Sequence, residues 1–228
     1  IIELTRADKI QLAQEVQAFR EKIAAKRDNP ISQPATSFPK TGVAPSSKVG
    51  FTNTLGMKFV PVSGTNVFFC IHETRRQDYA AYAMEVAGLD GSWKNQQKNG
   101  IPCGDKADHP VVGINREDAQ AFCMWLSKKE GRTYRLPTDE EWSFAVGLGQ
   151  IESRTKDTTP EMLSGKETTE FPWEGDFPLQ TKDQAGNYSD SAWHEKFPAL
   201  RWIEDYTDQF ATTAPVMSFK PNKLGLYD

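Results

Sequence analysis

The residues with the most reactive chemistry are few and widely spaced. Cys70, Cys103 and Cys123 could supply thiolates, and His72 and His109 each stand beside a carboxylate, in His72-Glu73 and Asp108-His109. The thiols are odd in number and show no CxxC spacing, so the pattern indicates neither a disulfide framework nor a zinc ribbon. Cys70 falls in a strand-like run and Cys123 on an apolar helix face, where a free thiol packs as a small buried hydrophobe. His72-Glu73 opens like a helical zinc-protease motif, but that motif needs a second histidine one turn on, and the position is Arg76. In Asp108-His109-Pro110 the adjacent side chains of an extended segment diverge, so a turn contact is expected of His109 rather than a catalytic pair.

Bulk composition narrows the classes further. The 228 residues carry a net charge of -4 and a pI near 5.5, without the concentrated basic surface that phosphate neutralisation requires, so a nucleic-acid binder is not expected. No apolar run is long enough to span a bilayer and no signal-peptide pattern is present.

The elements that must position these residues begin with an amphipathic helix over Thr5 to Arg27. Leu12, Val16, Phe19 and Ile23 form its narrow stripe, suited to pairing or docking. Residues 1–28 are assigned to this helix and 29–50 to a Pro/Ser-rich linker carrying Pro30, Pro34, Pro39 and Pro45. The main domain is placed at 51–228. Two strands are expected, Met57 to Val62 and Asn66 to Ile71, joined at Ser63-Gly64-Thr65. A helix should follow, capped by Thr74 with Gln77 and burying Tyr79, Tyr82, Ala83 and Val86. Asp90 to Asp108 reads as a surface loop anchored by Trp93 and Ile101, and Val111 to Ile114 as a short strand. Asn115 then caps a helix with Ala119, Phe122, Cys123 and Leu126 on one face and Gly131 at its end.

The stretch Arg135 to Trp142, RLPTDEEW, spells out a helix start. Thr138 caps free N–H groups, Glu141 reaches back to the cap, and Asp139 and Glu140 suit the positive end of the helix dipole. Trp142 is expected to enter the core. Ser153 to Trp173 reads as a long loop. Leu200 to Ile203 and Ala214 to Phe219 look strand-like, and Asn222 to Asp228 head into a core.

Taken in order, LGMKFVPV (Leu55 to Val62), HETRRQDYAAY (His72 to Tyr82), DHPVVGI (Asp108 to Ile114), NREDAQAFCMWL (Asn115 to Leu126), RLPTDEEW, FPW (Phe171 to Trp173), AGNY (Ala185 to Tyr188), TAPV (Thr213 to Val216) and PNKLGLYD (Pro221 to Asp228) carry a resemblance. The chain resembles the formylglycine-generating enzyme family, also called sulfatase-modifying factors, over roughly Phe51 to Asp228. The resemblance implies an α+β, C-type-lectin-like fold of short strands and helices with long loops, here preceded by the amphipathic helix.

It also implies an activity: copper-dependent oxidation of a sulfatase cysteine to formylglycine, with a cysteine pair whose soft thiolates hold Cu(I). In family members that pair follows the block matching Pro221 to Asp228, so the domain is expected to be truncated at its C-terminus. None of Cys70, Cys103 or Cys123 occupies the matching position. No catalytic residue is therefore carried over, and copper is expected only with a downstream cysteine pair.

One family calcium site transfers in part. Asn187 and Asp208 match two side-chain ligands, and the carbonyls of Tyr188 and Phe210 match two more, a hard-oxygen set of the kind Ca²⁺ takes. The function expected of the chain is recognition or scaffolding toward a protein or peptide partner, with the oxidase as the alternative. A sulfoxide-synthase-like role would need a His-rich helical domain, and Thr5 to Arg27 contains no histidine.

Overall fold

The computed structural model describes residues 49–163 and 186–227. The expected amphipathic helix, nearly all of the linker, Phe171-Pro172-Trp173, Ala185 and Asp228 lie outside the described residues. The architecture is a mixture of helices and small antiparallel sheets. Strands β1 (Phe51–Thr52), β2 (Lys58–Pro61) and β3 (Phe68–Cys70) form a sheet in the order β1-β2-β3, with Phe59 opposite both Phe51 and Cys70. The turn at Ser63-Gly64-Thr65 is closed by the Val62 N–H on Val67 O at 3.1 Å and the Thr65 hydroxyl on Val62 O at 2.8 Å. Gly64 is required there twice over: its φ is +87°, and a Cβ would stand 2.3 Å from the Phe144 ring.

Helix α1 (Arg76–Glu85) and helix α2 (Arg116–Glu130) cover the sheet with an aromatic core. Tyr79 and Tyr82 of α1 meet at 5.3 Å edge to face, Tyr79 meets Trp93 at 5.3 Å, and Tyr82 packs on Trp125 at 5.4 Å. Such offset contacts add to the area buried by the rings. At the rim, Glu85 accepts from Trp125 Nε1 at 2.9 Å and pairs with Lys129 at 2.6 Å, tying the helices together.

The caps differ from expectation at one end. Asn115 caps α2 as anticipated, accepting from the Asp118 N–H at 2.8 Å, and Gly131 ends it at φ 63°. The first helix is capped by Arg75 rather than Thr74. The Asp78 carboxylate takes the Arg75 N–H at 3.0 Å and its guanidinium at 2.9 Å, a buried ion pair that outcompetes the weaker Thr-Gln box. The inward face of α2 is Ala121, Phe122, Trp125 and Leu126; Ala119 and Cys123 are only half-buried.

Beyond α1, the segment 90–108 is more than a loop. It holds a 3₁₀ turn (Ser92–Lys94) and a hairpin of β4 (Gln97–Lys98) and β5 (Ile101–Pro102). Trp93 anchors it in the core, 5% exposed. Arg76 gathers the segment from α1: its guanidinium donates to Trp93 O at 3.1 Å, Gly104 O at 3.2 Å and Lys94 O at 2.9 Å, and lies over the Trp93 ring.

Val111 to Ile114 forms no strand; the pairing there is an isolated bridge between Arg75 and Pro110. Leu200 to Ile203 and Ala214 to Phe219 are likewise irregular, because their hydrogen bonds go singly to other loops, as in Ile203 N–H to Ser189 O at 2.6 Å and Val216 N–H to Asp108 O at 2.9 Å. The last described residues reach inward: Tyr227 N–H bonds Ile71 O at 2.9 Å, and Asn222 Nδ2 bonds Ala145 O at 2.8 Å.

Helix α3 (Asp139–Ala145) starts as read, and a four-residue helix α4 (Pro160–Leu163) follows inside the stretch expected to be a loop from Ser153. Thr138 accepts from the Glu141 N–H at 3.2 Å and Glu141 returns the bond to the Thr138 N–H at 2.8 Å, while both Glu141 oxygens take Arg135 at 2.6 Å. Trp142 does not enter the core. It is 56% exposed, and Ser143, one residue or about 100° further round the helix, is buried instead.

Two outcomes are expected. Arg76→Ala should cost on the order of 2–3 kcal/mol in urea unfolding, since three carbonyls lose a charged donor at once. The Arg135 guanidinium holds the Glu141 carboxyl below its ordinary value of 4.5 in the fold. Its stabilising contribution is therefore complete above the unfolded-state value and lost as pH falls through the lower folded-state one. Glu141→Gln should consequently be less stable than the parent at pH 7, with the difference shrinking as pH falls below 4.5 in the same unfolding assay.

Candidate functional site

The sequence-derived ligand residues lie on two irregular segments that fold against each other. Asp208 joins them. Its Oδ2 accepts the Tyr188 N–H at 2.8 Å and its Oδ1 accepts the Phe210 N–H at 2.8 Å, so one carboxylate brings the backbones of Tyr188 and Phe210 to itself. Asn187, which is exposed, turns its amide nitrogen onto Thr212 O. Around them, the Tyr206 hydroxyl donates to Gly186 O at 2.6 Å and the Ser191 N–H to Tyr206 O at 3.2 Å. All four candidate residues are thus brought into one neighbourhood.

Electrostatically the site is unusual for a loop. Asp208 is 5% exposed, and burial pushes its carboxyl up to about 6, with the neighbouring Asp190 carboxylate adding to the rise against the two backbone N–H bonds. Among the described residues neither carboxylate forms an ion pair with Lys or Arg. Asp190, fully buried, was not singled out in the sequence. It caps helix α5 (Ser191–Lys196), accepting the Trp193 N–H at 2.8 Å, and its other oxygen accepts the Asp208 N–H at 2.7 Å. The signal that could have found it is Asp190 directly before Ser-Ala-Trp, an N-cap pattern in a helix of only six residues.

The site is stitched to the rest of the domain through two threonines. Thr212 donates to Pro102 O at 2.8 Å, and Thr213 accepts the Gly104 N–H at 2.8 Å. His109 meets Thr213 Oγ1 at 2.8 Å through Nδ1, a contact with a distant loop where the sequence suggested a local turn contact, and burial lowers its pKa. Gly104, at φ +62° with the Pro110 carbonyl 2.7 Å from any added Cβ, leaves no room for a side chain at this junction.

The thiols lie elsewhere. Cys70 is half-buried at the end of β3 and Cys123 on α2, and burial pushes each up to about 11; Cys103 donates to Ile101 O at 3.7 Å. All three are free and half-buried, less covered than the sequence indicated for Cys70 and Cys123. The described residues contain no cluster of three or more His, Cys, Asp or Glu side chains that could hold a metal by themselves. A recess of about 40 Å³ lined by residues including Tyr79, Phe122 and Cys123 is far below the roughly 300 Å³ of a small-molecule site. No helix among the described residues is long and apolar enough to cross a membrane.

Comparison with known proteins follows the same outline. Residues 32–228 match the sulfatase-modifying factor enzyme 1-like domain, beginning within the stretch read as linker. The formylglycine-generating enzyme of Mus musculus is 31% identical over 149 residues, 65% of this chain and 32% of that protein. The formylglycine-generating enzyme of Thermomonospora curvata is 29% identical over 143 residues, 63% of this chain and 37% of that protein. A Bos taurus relative named inactive C-alpha-formylglycine-generating enzyme 2 is 33% identical over 138 residues, 60% of this chain and 35% of that protein. The matches span about a third of the length of these curated relatives. On the match across residues 32–228, the chain belongs to the sulfatase-modifying factor, or formylglycine-generating-enzyme-like, family.

Proposed function

We propose that this chain acts as a formylglycine-generating-enzyme-like recognition or scaffolding module, with a C-type-lectin-like arrangement of loops and a structural Ca²⁺ site, for a protein or peptide partner. The observation that carries the reading is the state of the thiols. Cys70 and Cys123, raised to about 11 by burial, are protonated at neutral pH, and the thiolate is the form that binds a soft metal or attacks. Copper therefore does not fit Cys70 or Cys123, and no oxidative step runs through either. The inactive-named relative supports the same reading, since a protein 33% identical over 138 residues carries a name that denies catalysis.

Calcium fits the residues better. The donors are oxygens from Asn187, Asp208 and the carbonyls of Tyr188 and Phe210, drawn from irregular segments whose geometry Ca²⁺ tolerates. A buried Asp208 that accepts two backbone N–H groups, and meets no basic side chain among the described residues, gains from a cation. The ion would hold the two segments together.

The second reading, a copper-dependent oxidase making formylglycine in a sulfatase cysteine, is favoured by the names of the mouse and T. curvata relatives. It requires a cysteine pair downstream of Asp228.

Titration calorimetry should show one Ca²⁺ site, with Ca²⁺ at 100 times its Kd raising unfolding stability by about 2.7 kcal/mol. Asp208→Ala should abolish both effects, and a parent protein that takes up no Ca²⁺ would remove the calcium reading. For the partner, a fluorescent sulfatase-type peptide containing cysteine should bind in an anisotropy assay and keep its mass when Cu(I) and oxygen are added. Conversion to formylglycine would establish the oxidase instead, and absence of both binding and conversion would exclude this peptide as the partner.

A further inference from the structure

The four candidate ligand residues leave one adjoining group unexplained. Asp190 is fully buried, bears no basic partner among the described residues, and spends both oxygens on backbone N–H groups. One is the Trp193 N–H, which any good cap residue would satisfy. The other is the Asp208 N–H at 2.7 Å, and Asp208 itself is the carboxylate at the centre of the site.

Two carboxylates in a dry interior are costly. Each loses its hydration, and among the described residues no cation offsets their mutual repulsion. If Asp190 served only to cap α5, a neutral Ser or Asn would do that work at least as well, because these residues cap as effectively as Asp. A second buried negative charge placed against the first has a use only where a positive charge arrives. Its bond to the Asp208 backbone also fixes the peptide that carries the ligand side chain, which is how groups behind a metal's direct ligands set its affinity.

We propose that Asp190 is the positioning residue of the Ca²⁺ site: without touching the ion, it fixes the Asp208 backbone and the first turn of α5 to one another and supplies the second negative charge that the ion neutralises. The proposal rests on the calcium reading above. It extends that reading to α5. Trp193 of this helix and Phe197 at its C-terminal cap lie under the Lys98 amine at 4.7 and 5.6 Å, and the His194 ring stacks on Trp202 at 4.7 Å. Ion binding at Asp208 is therefore transmitted through Asp190 to the start of a helix that holds the β4-β5 hairpin.

The test compares Ca²⁺ affinity in the parent chain, Asp190→Asn, Asp190→Ser and Asp208→Ala by titration calorimetry. Near-ultraviolet circular dichroism in chelator checks that each variant is folded. Both Asp190 variants keep a cap for α5, yet each should bind Ca²⁺ roughly 10-fold or more weakly than the parent. Asp208→Ala should not bind. A folded Asp190→Asn or Asp190→Ser with parental affinity would overturn the proposal and leave Asp190 a helix cap.

Hydrogen exchange on the unmodified chain supplies an arm that needs no variant. Ca²⁺ should slow exchange of the Trp193 and Asp208 amides together. Slowing at Asp208 and Phe210 with Trp193 unchanged would refute the link. A parent chain that binds no Ca²⁺ overturns the calcium reading and this proposal with it, an outcome distinct from parental affinity in the Asp190 variants.

Discussion

The described part of the domain depends on one guanidinium. Arg76 opens α1 and points three hydrogen bonds at carbonyls of the segment that follows, while stacking on the Trp93 ring that the same segment buries. A planar fork of donors can do this and a lysine cannot, because the ammonium has neither the geometry nor the weak hydration that stacking needs. With Gly104 O held, the Gly104 N–H faces Thr213, and Thr212 beside it takes Pro102 O and receives the Asn187 amide. A path of hydrogen bonds thus runs from a core helix to the candidate cation site without crossing a regular sheet. Loops carry the architecture here because charged and polar side chains satisfy their backbone groups.

Much of this was legible where chemistry is local. Asn115 as a cap, Thr138 with Glu141, and Gly131 at a helix end are short-range devices, and each sits where the sequence placed it. The β2-β3 pair was equally readable from its aromatic and β-branched residues. Misreadings arose where burial or a partner in another loop decided the outcome. Arg75 caps α1 because Asp78 offers a buried ion pair, Trp142 stays outside because the helix buries Ser143 and Ala145, and Val216 bonds a loop carbonyl instead of a strand. Asp190 was invisible for the same reason: only the folded chain puts it against Asp208.

Of the candidate site, the four residues were reached by resemblance, and the folded chain groups them through Asp208. Burial supplies what no motif encodes. A carboxylate next to another carboxylate, both dry, is an arrangement that composition cannot reveal and that local propensity would count as an error. The thiols present the opposite case. They are chemically conspicuous in the sequence, yet burial keeps Cys70 and Cys123 protonated.

The bond from the Tyr227 amide to the Ile71 carbonyl joins the end of the described domain to the end of β3. On a ribosome adding about 5–20 residues per second, roughly 8 to 30 seconds separate the synthesis of its two halves. Through that interval the β3 end, the Pro102 carbonyl and the Gly104 amide all await partners not yet made. The nascent chain can complete its aromatic core early, from residues 51 to 130, and must then keep a half-finished polar surface in water until the last loops arrive. Contacts of such long sequence separation make closure of the domain its slow step, and leave the unfinished surface open to chaperones for longer than the core itself takes to form.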